Sequence, residues 1–396
     1  LIPRVKVHLI LVLAAILSVM LMTDAAAASD NRTDRVEEGL IREQLSNSEI
    51  SNIRRAVEKA FSDFDKESGI RISAGELLED AAKGAPLEGL NAIPKALLVL
   101  LGKELKGNFV LVLELIAIMV LAAVLRGLQP NEQLLSNQAS GLAVNGAMAV
   151  IAAASFGGIV QIAREAVEAM QTLASLALPA LFALLAASGR LVSVTAFQPL
   201  ILAGVNVACH IYKTVLLPLA VMAGVLFLVD SISQRFKLKS LAKLIKSCAV
   251  WGTGALTLVF SLVVSIQKFS STAVDAVAVK SAKFAIGTFV PVAGKNMADA
   301  AEILLACAGA ARNAAGILTI IGLGIAFTLP FLKIFVIMMT YKLAAALGTP
   351  LCDEGICNAL EDASGCMSVM LGILGASLFS LIILTGSMMS SAGLFN

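Results

Sequence analysis

"KFAIGTFVPVAGKNMADAAE", Lys283 to Glu302, is apolar through its centre, places Pro291 between Gly287 and Gly294, and then turns charged. A bilayer crossing takes about 20 apolar residues, so this apolar run is too short to span. It is also too apolar for an ordinary loop. Pro291 removes a backbone donor and breaks a helix, and the two glycines permit sharp turns. Non-helical backbone at membrane depth is tolerated only when buried in protein or lining a water cavity. The stretch therefore reads as a re-entrant hairpin or an interfacial helix pair, with Asp299 and Glu302 giving its second arm a polar face. Either reading puts a membrane around it.

The composition agrees. Of 396 residues, 58% are hydrophobic and only 15% charged, against about 25% charged in a soluble domain. The mean hydropathy is +0.88. The chain reads as all-α, a polytopic helical membrane protein. A net charge of +2 offers no bulk attraction for nucleic acid, so none is expected as a partner. The charges cluster: 12 Lys/Arg and 15 Asp/Glu lie between Ser29 and Asn108. A polar N-terminal region thus precedes a long apolar one.

Working back to the start, "LIPRVKVHLILVLAAILSVMLMTDAAAASD" has Arg4 and Lys6, an apolar run from Leu9 to Met22, and small residues at Ala25 to Ala28. This is the layout of a cleavable signal peptide, residues 1–28, with an uncleaved anchor as the alternative. Residues 29–108 would then form a small extracytoplasmic helical region. Ile50, Ile53, Val57, Phe61 and Phe64 recur at three and four and make one apolar face. Ser73 followed by Glu76 fits a capping box.

Nine segments are candidate spans: 109–125, 142–160, 170–188, 191–209, 214–229, 247–266, 313–329, 331–347 and 367–387. Six of them fall in a membrane bundle over 109–266, residues 267–312 form the extracytoplasmic or re-entrant segment, and 313–396 hold the C-terminal spans. Counted from outside, the fifth span ends in the cytoplasm at "DSISQRFKLKSLAKLIKS". That loop, 230–246, carries Arg235, Lys237, Lys239, Lys243 and Lys246 against Asp230, as the positive-inside rule requires. Arg126 and Arg190 also fall inside by this count, and a loop near Arg164, Glu165 and Glu168 falls outside. Pro330 marks either a tight turn between two spans or a kink within one.

Polar residues inside spans are costly and often functional. Glu114, Asn145, Gln198, Asn206, His210, Lys213 and Lys333 stand in or beside apolar runs. Glu114, Asn206, Lys213, Gly287, Pro291, Gly294 and Lys333 are the candidates for lining a conduit or packing helices together. Ala149, Ala153 and Gly157, and Gly372 with Ala376, repeat at four, which permits close helix approach. The six cysteines include Cys352, Cys357 and Cys366 in or beside one loop; free thiols are the plainer expectation, a Cys352–Cys357 disulfide the alternative. There is no GxxxxGK[ST], no HExxH and no GxSxG. No enzyme, cofactor or metal site is expected.

Three stretches, "SLALPALFALLAASGRLVSVTAFQP" (175–199), "FAIGTFVPVAGKNMADAAEILLACAGAARNAAGILTIIG" (284–322) and "LGTPLCDEGICNALEDASGC" (347–366), resemble the stage III sporulation protein AE family of endospore-forming Firmicutes. The likeness extends to order, spacing and overall length, and its most specific piece is Phe289 to Gly294. The resemblance implies a multi-span membrane subunit of the transenvelope complex built during engulfment, a channel or feeding tube between mother cell and forespore. It implies ring-forming subunits and a cytoplasmic ATPase subunit as partners, with membrane lipids around the chain and further copies of it as a candidate partner. Residues 29–108 would face the intermembrane space from the mother-cell membrane. The basic residues Arg235, Lys237, Lys239, Lys243 and Lys246 would offer a cytoplasmic docking surface. The alternatives are an autonomous small-solute permease and a non-conducting scaffold that recruits ring-forming partners.

Overall fold

A computed structural model describes residues 48–70, 73–83, 91–127, 135–232, 238–289, 294–350 and 354–389. Among them there are ten α-helices and no strand: α1 (Ser48–Ser68), α2 (Ala74–Lys83), α3 (Ile93–Gly107), α4 (Phe109–Gly127), α5 (Leu135–Ala187), α6 (Leu191–Ile211), α7 (Leu217–Ile232), α8 (Lys239–Phe289), α9 (Gly294–Gly348) and α10 (Glu354–Met389). A π-helical turn, Tyr212–Leu216, joins α6 to α7. The signal-peptide reading lies outside the described residues.

The nine apolar segments fall in seven helices, α4 to α10. Segments 142–160 and 170–188 belong to one helix, α5, of 53 residues. The chain between them, "QIAREAVEA", holds neither Gly nor Pro and is rich in strong helix formers. Ala163, Ala166, Val167, Met170, Leu173 and Ala174 are buried along it. The charges at Arg164, Glu165 and Glu168 therefore mark the outer face of a helix and not a loop. Segments 191–209 and 214–229 are likewise joined, through the π turn. Segments 313–329 and 331–347 are one helix, α9, which runs through Pro330. Among the described residues five helical stretches are long and apolar enough to cross a membrane: Phe156–Ala187, Phe197–Asp230, Lys239–Gln267, Leu304–Gly348 and Cys357–Met389.

This changes the expected sidedness. The span count from sequence puts Arg190 and Lys239 on the same side; they stand at opposite ends of the continuous α6–α7 path. At the Lys239 end, its Nζ pairs with Asp362 Oδ2 at 3.2 Å, and Asp230 Oδ1 accepts from the Lys239 amide at 3.0 Å. At the Arg190 end lie the close of α5, the close of α10 and Arg312 of α9.

Helix α9 is the hub, packing against α10, α5, α1, α2, α3, α4 and α8. The amphipathic stripe of α1 explains its seat there. Ile50, Ile53, Val57, Phe61 and Phe64 are all buried to within 1%, each burial worth about 1.5–3 kcal/mol. Val57 reaches Gly322 of α9, where a Cβ would stand 2.8 Å from it and 3.2 Å from Leu173 of α5. Ser73 Oγ accepts from the Glu76 amide at 3.4 Å and opens α2. Close approach elsewhere uses other glycines than the spacing suggested: Gly157 and Gly372 face open space, whereas the Phe156 ring lies against Gly224.

Candidate functional site

The π turn is where the fold departs from a regular helix. It directly precedes Leu217 and Pro218, whose ring nitrogen carries no N–H for the ladder. The Leu217 amide instead reaches back five residues to the Tyr212 carbonyl, and Thr214 Oγ1 donates to the His210 carbonyl at 2.6 Å. Such bulges concentrate at functional sites. Tyr212 itself is fully buried. Its hydroxyl lies 2.8 Å from Thr257 Oγ1 of α8 and 3.3 Å from Ser380 Oγ of α10. Both of those hydroxyls already donate to backbone carbonyls, Thr253 and Ala376. The Tyr212 proton is therefore the one shared between them, and it ties three helices at the bulge.

On the outward side of the same turn a cleft of about 390 Å³ opens between α5 and α6, lined by Gln171, Asn206, Val207, His210, Ile211 and Lys213. Gln171 Nε2 donates to Asn206 Oδ1 at 2.9 Å, and Asn206 Nδ2 donates to the Leu202 carbonyl at 2.8 Å. Lys213 Nζ sits 3.5 Å from Glu168 Oε1. Exposed ion pairs of this kind stabilise by at most about 1 kcal/mol. Their effect here is to hold a cation and a carboxylate at the mouth of the cleft. The polar surface continues along α5, which exposes Gln161, Arg164, Glu165, Thr172 and Ser175 as well.

The exposed surface of α8, which packs against α6, is different in kind. Helix α8 exposes Val250, Trp251, Leu258, Val259, Leu262, Val263 and Ile266. The two surfaces stand at the same height in the bundle. Tyr212 meets Thr257, and the Phe260 ring lies 3.9 Å from where a Cβ on Gly204 would stand. Helix α1, with Val57 near Leu173 at Gly322, exposes Arg54, Arg55, Glu58 and Lys59.

Of the residues singled out from the sequence, Asn206 and Lys213 come together in the cleft. Lys333 does not join them; it acts electrostatically on Glu67 of α1, which bonds Lys103 of α3. Glu114 is exposed on α4 and does not line the cleft. Gly287 falls within α8 and Gly294 opens α9, while Pro291 lies outside the described residues. Of the basic docking set, Lys239 is paired with Asp362, Lys246 lies over the Phe227 ring at 5.9 Å, and Lys243 is exposed. Arg235 and Lys237 lie outside the described residues. Cys357 and Cys366 are buried and not in disulfides; Cys352 lies outside the described residues. Gln171 and Glu168 do not stand out in the sequence as site residues, because the first looks like any polar residue in an apolar run and the second like part of a loop. A helical wheel over 161–175 carries the missing signal.

These features define a polytopic α-helical membrane protein whose α5–α6 flank mixes charged and amide side chains with exposed Leu176, Leu200, Val207 and Val215, whereas α8 exposes no charged or amide side chain over 250–266. The pattern of the Stage III sporulation protein AE (spore_III_AE) family matches residues 72–392, and the chain belongs to that family. It is 27% identical over 301 residues to the stage III sporulation protein AE of Bacillus subtilis (strain 168), covering 74% of this chain and 75% of that protein. No solved structure matches.

Proposed function

We propose that this chain is a membrane subunit of the transenvelope complex between mother cell and forespore, and that its α5–α6 flank forms part of the wall of an aqueous conduit. The observation that carries the reading is the pair of unlike surfaces at one height. A helix surface as apolar as that of α8 suits lipid. A surface bearing Arg164, Glu165, Glu168, Gln171, Asn206 and Lys213 at the same height does not, since intramembrane charges face a protein interior or a water-filled cavity. In a single chain the cleft is open, so the wall is completed by further copies or by other membrane subunits. Family membership supports a place in the sporulation machinery, in the mother-cell membrane around the forespore, with ring-forming subunits and a separate ATPase subunit as companions. The role is passage and assembly, not catalysis.

The test is a pair of double variants assayed for forespore development at matched protein levels. Gln171→Leu with Asn206→Leu makes the cleft apolar and should block development after engulfment. Leu258→Ile with Leu262→Ile on the α8 flank should be tolerated. Normal spores from the first variant would contradict the reading.

A further inference from the structure

Helix α4 presents a carboxylate that no described residue of its own chain meets. Its exposed face carries Val110, Leu113, Ala117, Leu121 and Val124, with Glu114 among them. The first turns of α8 present the converse. Lys243 is exposed between exposed Leu241 and Leu244, with Ser240 and Ser247 on the same face. Neither Glu114 nor Lys243 is paired among the described residues. A charge on an apolar surface at membrane depth is costly unless an opposite charge meets it. Lys239, a turn away, pairs with Asp362 within the chain; Glu114 and Lys243 are left over.

The two charges stand at one height. Met119 and Cys357 both close on Gly348 and so are level with each other. Helices α5 and α9 run antiparallel, with Leu173 at Gly322 and Ser188 at Arg312. Helix α4 packs on α5 and is joined to it by the short stretch 128–134, as antiparallel neighbours are. Helix α4 therefore runs with α9, and Glu114 lies about 8 Å from Met119 toward the middle of the bundle, at 1.5 Å per residue. Helices α8 and α10 climb together, since Lys246 meets Gly365 and Thr257 shares Tyr212 with Ser380. Gly365 is roughly 12 Å above Cys357 and Lys243 roughly 4 Å below Lys246, which puts Lys243 about 8 Å above Cys357 as well.

We propose that α4 of one copy docks on the first turns of α8 of the next, with Glu114 paired to Lys243. Copies inserted in one bilayer share one orientation, so a ring about the membrane normal brings residues of equal height together. The two helices meet antiparallel. The register set by the charge pair places Leu113 on Leu244, Ala117 on Ser240 and Val110 on Ser247, and the small side chains permit close approach. The upper end of α4, Phe109, reaches roughly 15 Å above Met119, short of Val250 at roughly 18 Å, so the apolar surface of α8 from Val250 to Ile266 stays free for lipid. Helix α4 neighbours α5, α5 neighbours α6, and α6 neighbours α8. The α5–α6 flank thus lies between the two docking faces, and a ring closed through them turns every cleft to the same side. That a further copy completes the conduit wall in this way rests on the proposed function; the contact itself does not.

The experiment co-expresses two differently tagged full-length copies during sporulation. In a background without native cysteines, Ala117→Cys in one copy should cross-link oxidatively to Ser240→Cys in the other. Ala117→Cys with Ser247→Cys, two turns out of register, should not. With native cysteines kept, recovery of one tagged copy on the other from detergent should fall about tenfold when both carry Glu114→Lys, or both Lys243→Glu, as expected for loss of a close charge pair. It should return when both copies carry the two substitutions together. Cross-linking of Ala117→Cys copies to one another, recovery indifferent to the charge reversals, or no rescue by the double reversal would overturn the contact. These outcomes are separate from those of the conduit. A formed contact with normal spores from Gln171→Leu and Asn206→Leu sinks the conduit alone; a missing contact with blocked development sinks the ring and leaves the wall to other subunits.

Discussion

Tyr212 is the residue on which three helices converge, and its replacement is informative because its partners are satisfied without it. Thr257 and Ser380 keep their bonds to Thr253 and Ala376 in Tyr212→Phe. The loss should be one shared hydrogen bond, about 0.5–1.5 kcal/mol, read as a small drop in unfolding midpoint in detergent. Gly224 is less forgiving. A Cβ there would stand 2.6 Å from Cε1 and Cζ of the buried Phe156 ring, so Gly224→Ala should cost about 1–3 kcal/mol by overpacking. Adding Phe156→Leu should recover part of it in a double-mutant cycle, because the two sites touch. Glu67 gives a pH signature. Its bond from Lys103 comes first, and with Lys333 it holds the carboxyl below its ordinary 4.5. The contribution is present above that value and is lost as pH falls through the lower, folded one. Protease sensitivity of α1 should therefore rise in acid, and Glu67→Gln should flatten that dependence.

Helix α1 was legible element by element because its stripe is a simple 3–4 repeat in a polar background. The repeat named Ile50, Ile53, Val57, Phe61 and Phe64, and all five are buried; the Ser73–Glu76 cap is also formed. Phe61→Ala should cost about 3–5 kcal/mol and free α1 from α5 and α9, detectable as early hydrogen exchange in residues 48–68 alone. Helix α5 was misread for the converse reason. A dip in hydropathy at Arg164–Glu168 looks like a loop when averaged over a window, but the polar residues fall on one side of an unbroken helix whose other side is Ala163, Val167 and Met170. Helix propensity decides between the two, and nothing in that stretch opposes a helix. The same holds at Lys213, where a polar residue between two apolar runs sits in a π turn and not in a connection.

At the scale of the whole molecule, an all-α membrane fold was legible from composition, whereas the number of crossings was not. Hydropathy shows how much apolar surface exists; it does not say whether lipid or another helix covers it. Here α9 is apolar over most of its length and half buried among its neighbours, so its long run reflects its position as hub. Part of the candidate site was visible as Asn206 and Lys213, because polar residues in apolar runs stand out singly. Their partners Gln171 and Glu168 come from another helix, and only the packing of α5 on α6 brings them together. The two unlike flanks at one height are the central claim, and thiol accessibility measures it directly. Single cysteines at Gln171, Asn206 and Lys213, and at Trp251, Leu258 and Leu262, in a background without native cysteines, would be probed with a membrane-impermeant reagent in intact sporulating cells. A water-facing wall predicts labelling of the first three and silence of the second three. Equal labelling of both sets would place this height outside the bilayer, and silence at both would bury the α5–α6 flank in a dry interface; either result contradicts the conduit.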